Sequence, residues 1–123
     1  MKVIVFGSRS WTNRLAIRER LARLPAGSIV VHGKSPGGGA DLLADEEARA
    51  LGFVVIPVPI NADDRAKAGT TRAAPIHRNI RMARTHHDAD VAIGFWDGQS
   101  PGSRHMIDAS LDVGIPVEIN RLP

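Results

Sequence analysis

Three segments of this chain combine glycine and serine in a way that could grip an anion. They are Gly7-Ser8-Arg9-Ser10, then Gly33-Lys34-Ser35-Pro36-Gly37-Gly38-Gly39-Ala40-Asp41, then Asp97-Gly98-Gln99-Ser100-Pro101-Gly102-Ser103. Glycine lets the backbone come close to an oxyanion, and serine adds a hydroxyl donor. A fourth segment carries Arg78-Asn79. A guanidinium holds two oxygens of a phosphate or carboxylate at once. The asparagine amide both donates and accepts, which suits a sugar hydroxyl or a base edge. The chemistry implied is capture of a phosphate-bearing small molecule. The ligand-binding candidates are Gly7, Ser8, Arg9, Gly33, Gly38, Gly39, Asp41, Arg78, Asn79, Ser100, Gly102 and Ser103. Catalytic residues stay unassigned, with Arg78 and Asp41 as the candidates. Asp41 reads equally as a helix cap and as a partner for ribose or metal-bound water.

Other motifs fail on physical grounds. Gly33-Lys34-Ser35 resembles the end of a P-loop, but Ser28 stands where the leading glycine belongs. From Gly37 the dinucleotide pattern GxGxxG meets Leu42 at its last glycine. Gly98-Gln99-Ser100-Pro101-Gly102 spells GxSxG, yet Pro101 has no N–H for an oxyanion hole and no histidine follows His105. His86 and His87 are neighbours that point in different directions on a helix. They suit the negative end of a helix dipole better than a metal. His32 reads as a ligand contact or as a partner of local backbone. No metal and no cofactor is expected.

These segments need a scaffold. Short apolar runs at Val3–Phe6, Ile29–His32, Phe53–Val58, Val91–Phe95 and Pro116–Ile119 read as strands buried on both faces. Ile17, Leu21 and Leu24 have helical spacing after a cap at Thr12 or Asn13. Leu43, Ala44, Ala48 and Leu51 mark a second helix ending at Gly52. Ile76, Ile80 and Ala83 mark a third, with Pro75 in its first turn. Met106, Ile107, Ser110 and Leu111 mark a fourth, stopped by Gly114. Strict alternation predicts an α/β fold, one domain over residues 1–123, with a five-stranded parallel sheet of order 3-2-1-4-5 covered on both faces. In such a sheet ligands sit beyond the carboxyl ends of the strands, where all three glycine-rich segments fall. Pro59 to Ala74 is the one long connection.

Composition narrows the class. At 123 residues, 43% apolar and 24% charged, the chain suits a single globular core. No apolar run approaches the ~20 residues that span a bilayer, and Met1–Gly7 is too short for a signal peptide. A cytoplasmic protein with no membrane contact is the expectation. With no cysteine there is neither a disulfide nor a thiolate metal site. The net charge is +3, carried mostly by arginine. From Arg65 to His87 there are six Lys or Arg and no acid. Such a stripe fits nucleic acid or a small anion. The five aromatics, Phe6, Trp11, Phe53, Phe95 and Trp96, are few for a surface that stacks bases.

Taken in order, Gly7-Ser8-Arg9-Ser10-Trp11, His32-Gly33 with Gly38-Gly39-Ala40-Asp41, Pro75-Ile76 with Arg78-Asn79 and Met82, and Phe95-Trp96-Asp97-Gly98 with Ser100, Gly102 and Ser103 resemble the YspA-like family of the SLOG superfamily. These are Rossmann-like domains of bacteria and phages, related to the LOG phosphoribohydrolases and to DprA. The resemblance implies a sensor or processor of a nucleotide-derived ligand. A first alternative is cleavage of a nucleoside 5′-monophosphate at its N-glycosidic bond. A second is single-stranded DNA binding, as in DprA, with nucleic acid the lesser partner. Arg78-Asn79-x-x-Met82 looks like the arginine signature of the LOG enzymes, and Ser100–Ser103 looks like a reduced form of their phosphate loop. Their glutamate is absent, since Arg104, His105 and Met106 occupy its region. The family's tryptophan after the third strand is also missing, so a stacking contact is either absent or supplied by Trp11 or Trp96. The resemblance further implies a homodimer, with the same two tryptophans as apolar interface groups.

Overall fold

The computed structural model describes residues 1–35, 38–69 and 73–121. Five strands, β1 (Lys2–Gly7), β2 (Ile29–His32), β3 (Val54–Pro57), β4 (Val91–Trp96) and β5 (Val117–Arg121), form one sheet of order β3-β2-β1-β4-β5. All pairings are parallel, with Val3 set between Val30 and Val91. Five helices connect them: α1 (Arg14–Leu21), α2 (Ala40–Ala50), α3 (Ala62–Ala68), α4 (Ala74–Thr85) and α5 (Pro101–Asp112).

The alternation of side chains along β1 explains the three layers. Val3 and Val5 face a core with Ile17 and Leu21 of α1 and Ala44 and Ala48 of α2. Ile4 and Phe6 face the opposite core, with Met82 and Ala83 of α4 and Met106 and Ala109 of α5. A strand apolar on both faces is stable only when helices cover both. That holds for the central strands β1 and β4 but not for β3. There Val54 is 56% exposed, because β3 is an edge strand. Both tryptophans lie inside the chain. Trp11 packs edge-on to Phe95 at 5.5 Å, and Trp96 donates its indole N–H to the Ser100 carbonyl at 3.0 Å with Arg121 over its ring. At 2% and 6% exposure, neither offers a surface for a dimer contact or for base stacking.

The connection from Pro59 to Ala74 is not a bare loop, since α3 lies within it. Asn61 caps α3 by accepting from the Asp64 N–H at 2.8 Å, and Asp64 returns a bond from the Asn61 N–H at 2.9 Å. Arg81 of α4 then clamps the buried Asp64 at 2.9 Å. Among the described residues of the basic run from Arg65, Arg81 is paired and Arg78 is buried, so these two add nothing to a surface stripe. The acidic run 45–47 is also neutralised, with Glu47 bound by Arg14 and Arg18 of α1 and Asp45 by Arg49. Among the described residues no helix is long and apolar enough to cross a membrane.

Candidate functional site

The carboxyl ends of β1, β2 and β4 meet the first turns of α2, α4 and α5 around a cavity of about 510 Å³. Small-molecule sites fall within ~300–1,000 Å³. Ten of the twelve sequence candidates line it: Gly7, Ser8, Arg9, Gly33, Asp41, Arg78, Asn79, Ser100, Gly102 and Ser103. Gly38 and Gly39 do not. Gly39 instead starts α2 at φ 81° and ψ −154°, a conformation open in practice to glycine alone. A Cβ there would strike the backbone of Ser8 and Arg9. This close approach brings the second glycine-rich segment against the first.

Ser8 is where the loops join. Its N–H donates to the Phe95 carbonyl at 3.0 Å, and its own carbonyl accepts from the N–H groups of Trp11 and Ala40, both at 3.1 Å. Its hydroxyl oxygen accepts from the Asp97 N–H at 3.1 Å. Asp97 in turn accepts from the N–H groups of Gln99 and Ser100, each at 2.8 Å. Those two bonds hold its carboxyl below the usual carboxylate range. Asp41 does not cap α2. It accepts from the Ser35 N–H at 3.0 Å and the Ser35 hydroxyl at 2.8 Å, fastening the loop after β2.

Arg78 is the fifth residue of α4, one position past the first turn expected from Pro75, because the helix begins at Ala74. It is 5% exposed. Its Nε donates to Asn79 Oδ1 at 2.9 Å, and its Nη1 donates to the carbonyls of Gly33 and Val58. A Cβ on Gly33 would lie 2.6 Å from Arg78 Cζ, so glycine is what admits the guanidinium. Among the described residues no carboxylate pairs with Arg78, and its Nη2 has no partner. Burial lowers its pKa, while the charges of Asp41 and Asp64 act against that. Asn79 also reaches α5, donating to the Gly102 carbonyl at 3.3 Å. Its amide thus ties Arg78 to the third loop.

The first turn of α5 completes the polar part of the cavity. Ser100 occupies the cap position without a side-chain bond to the helix. Ser103 is 3% exposed, and its hydroxyl oxygen has no partner among the described residues. Arg9 lines the rim and is exposed. The histidines lie elsewhere, His105 excepted. His32 accepts from the Lys34 N–H at Nδ1 (2.9 Å) and meets Asp45 through Nε2 (2.6 Å), so it braces the β2 end and stays out of this cavity. His86 caps the end of α4, and burial together with Lys2 pushes its pKa down. Among the described residues no group of three His, Asp or Glu side chains gathers as metal ligands.

Sequence reasoning missed the other walls. Phe6, Ile76, Met82 and Met106 form apolar lining, and Ser10, Ser35 and His105 add polar groups. Met106 had the helical spacing of a core residue and Met82 stood only in the arginine signature, and neither signal tells which positions border a void.

A parallel sheet with helices on both faces and a cavity at its carboxyl edge defines a single Rossmann-like α/β domain. No protein-family model matches the chain. The Gene 61 protein of Mycobacterium phage D29 is 38% identical over 123 residues, spanning 94% of this chain and 93% of that protein. The chain belongs to the family of that phage protein. Among solved structures it is similar to the C-terminal domain of the PF1911 hydrogenase from Pyrococcus furiosus. The TM-score is 0.54 at 15% identity, over 97% of this chain and 89% of that one, which is a likeness of fold alone.

Proposed function

We propose that this chain binds a nucleotide-derived, phosphate-bearing small molecule at the carboxyl edge of its sheet, as a sensor or processing domain. One observation carries the reading: Arg78 is a buried cation held by carbonyls, with no carboxylate among the described residues in contact with it. A buried charge is costly unless a counter-charge meets it, and an anionic ligand would supply one. Beside it stand the unpartnered hydroxyl of Ser103 and the uncapped start of α5. Both favour an anion. The resemblance to the YspA-like SLOG family points the same way, and the homodimer rests on that resemblance alone.

Two other readings fare worse. Cleaving an N-glycosidic bond needs a carboxylate beside the sugar. The two carboxylates lining the cavity, Asp41 and Asp97, are both engaged in fixing loops. Single-stranded DNA would need a basic, aromatic-studded surface. Here Arg78 and Arg81 are turned to internal partners, and both tryptophans are buried.

The test is titration of the protein with phosphate, ribose 5-phosphate and the nucleoside 5′-monophosphates, followed by melting temperature and calorimetry. A ligand at a hundred times its Kd stabilises the folded state by about 2.7 kcal/mol. At about 4 °C per kcal/mol that is about 11 °C for a chain of this length. No shift with any purine or pyrimidine nucleotide would remove the reading.

A further inference from the structure

We infer that His105 is the contact for the base of the bound nucleotide and so sets which bases the site accepts. This rests on the nucleotide reading and deepens it. The polar side of the cavity is assembled from Arg78, Asn79 and the first turn of α5, so a phosphate there fixes one end of a ligand. Along α4 and α5 the wall has an apolar stretch, made of Pro75 and Ile76 on α4, Pro101 on α5, and the deeper Met82 and Met106. A heterocyclic base belongs against that wall. Binding of a base normally uses an aromatic face, and two rings line this cavity, Phe6 and His105. Phe6 is 5% exposed and packed so closely over Gly94 that a Cβ there would come 2.5 Å from its ring. It can offer no free face. His105 is half-buried, and it has no hydrogen-bond partner among the described residues. It stands in the second turn of α5, four residues after Pro101. Helical side chains lean toward the helix N-terminus, which brings the ring toward the cavity mouth beside Pro101. An imidazole there can stack on a base and hydrogen-bond its edge. Trp11 and Trp96, the rings otherwise available on these loops, are committed to the interior.

The experiment compares wild type, His105→Ala and His105→Phe in binding ribose 5-phosphate and the four nucleoside 5′-monophosphates, with melting temperature as the fold control. Loss of one base–ring contact weakens binding about five- to 150-fold. His105→Ala should therefore lose that factor for its preferred nucleotide while keeping the wild-type affinity for ribose 5-phosphate. His105→Phe should recover most of the affinity and lose the discrimination among bases. Equal losses for ribose 5-phosphate and nucleotide would place His105 at the phosphate and overturn the inference. Unchanged nucleotide affinity in His105→Ala would overturn it as well. If wild type binds ribose 5-phosphate but no nucleotide more tightly, the base subsite does not exist. If wild type binds none of them, it is the nucleotide reading that fails.

Discussion

Replacing Arg78 by methionine separates what this residue does for the ligand from what it does for the fold. Methionine has a similar reach and no charge. Three hydrogen bonds disappear, those to Gly33 and Val58 carbonyls and to Asn79 Oδ1. At about 1 kcal/mol net each, their loss removes about 3 kcal/mol. The same change relieves a buried charge that no carboxylate among the described residues contacts, worth several kcal/mol in the opposite direction. The two effects nearly cancel. The expected stability change is within about 2 kcal/mol of zero, or about 8 °C in melting temperature for a chain of 123 residues. Binding has no such compensation. Loss of one charge-assisted hydrogen bond to a phosphate costs about 1.5–3 kcal/mol, a tenfold to 150-fold rise in Kd. Calorimetric titration with phosphate or a nucleoside monophosphate, beside a melt of each protein without ligand, reads both quantities. A Kd within twofold of wild type would refute the anion role. A melting temperature lower by more than about 15 °C would show that Arg78 is chiefly a structural strut.

Two further outcomes follow from the fold. Because burial and Lys2 lower the pKa of His86, the unfolded chain takes up a proton before the folded one. Stability is then complete above the unfolded value of about 6.5 and is lost as pH falls below it toward the folded value. His86→Gln should flatten the fall in urea midpoint between pH 7.5 and 5.5, and an identical slope in both proteins would count against this account. Gly39→Ala should destabilise by more than about 3 kcal/mol, since strain at that φ and ψ adds to collision with Ser8 and Arg9. A denaturant midpoint equal to wild type would show that the loop relaxes freely.

Most of the architecture was legible because its signals are local. Val3–Phe6 and Val91–Phe95 are apolar on both faces, which only a sheet covered twice can accommodate. The strand order followed from alternation and held. The helix α3 was not legible from periodicity: its seven residues, Ala-Asp-Asp-Arg-Ala-Lys-Ala, have no apolar stripe to bury. The pair Asn61 and Asp64, spaced as a capping box, was the one available signal. At the site, the glycine-rich turns announced their own edge of the sheet. What no spacing could reveal was the choice of partners. Asp41 is turned to Ser35, Asn79 to Gly102, and Arg78 to two carbonyls that lie far away in sequence. Nor does composition tell a tryptophan at a surface from one locked against Phe95.

The fourfold hydrogen bonding of Ser8 has a kinetic consequence. It joins the segments after β1 and β4 to the start of α2 through single short bonds, so these parts of the rim move together or not at all. A ligand entering there meets donors already in position and has little chain to order on arrival. Association with this edge should accordingly follow one exponential phase, with a rate that rises linearly with ligand concentration and shows no plateau from a slow closing step. Ser8→Ala cuts only the bond from Asp97, and Trp96 and Asn79 still hold the segment after β4 at the Ser100 and Gly102 carbonyls, so the single phase should persist in that variant.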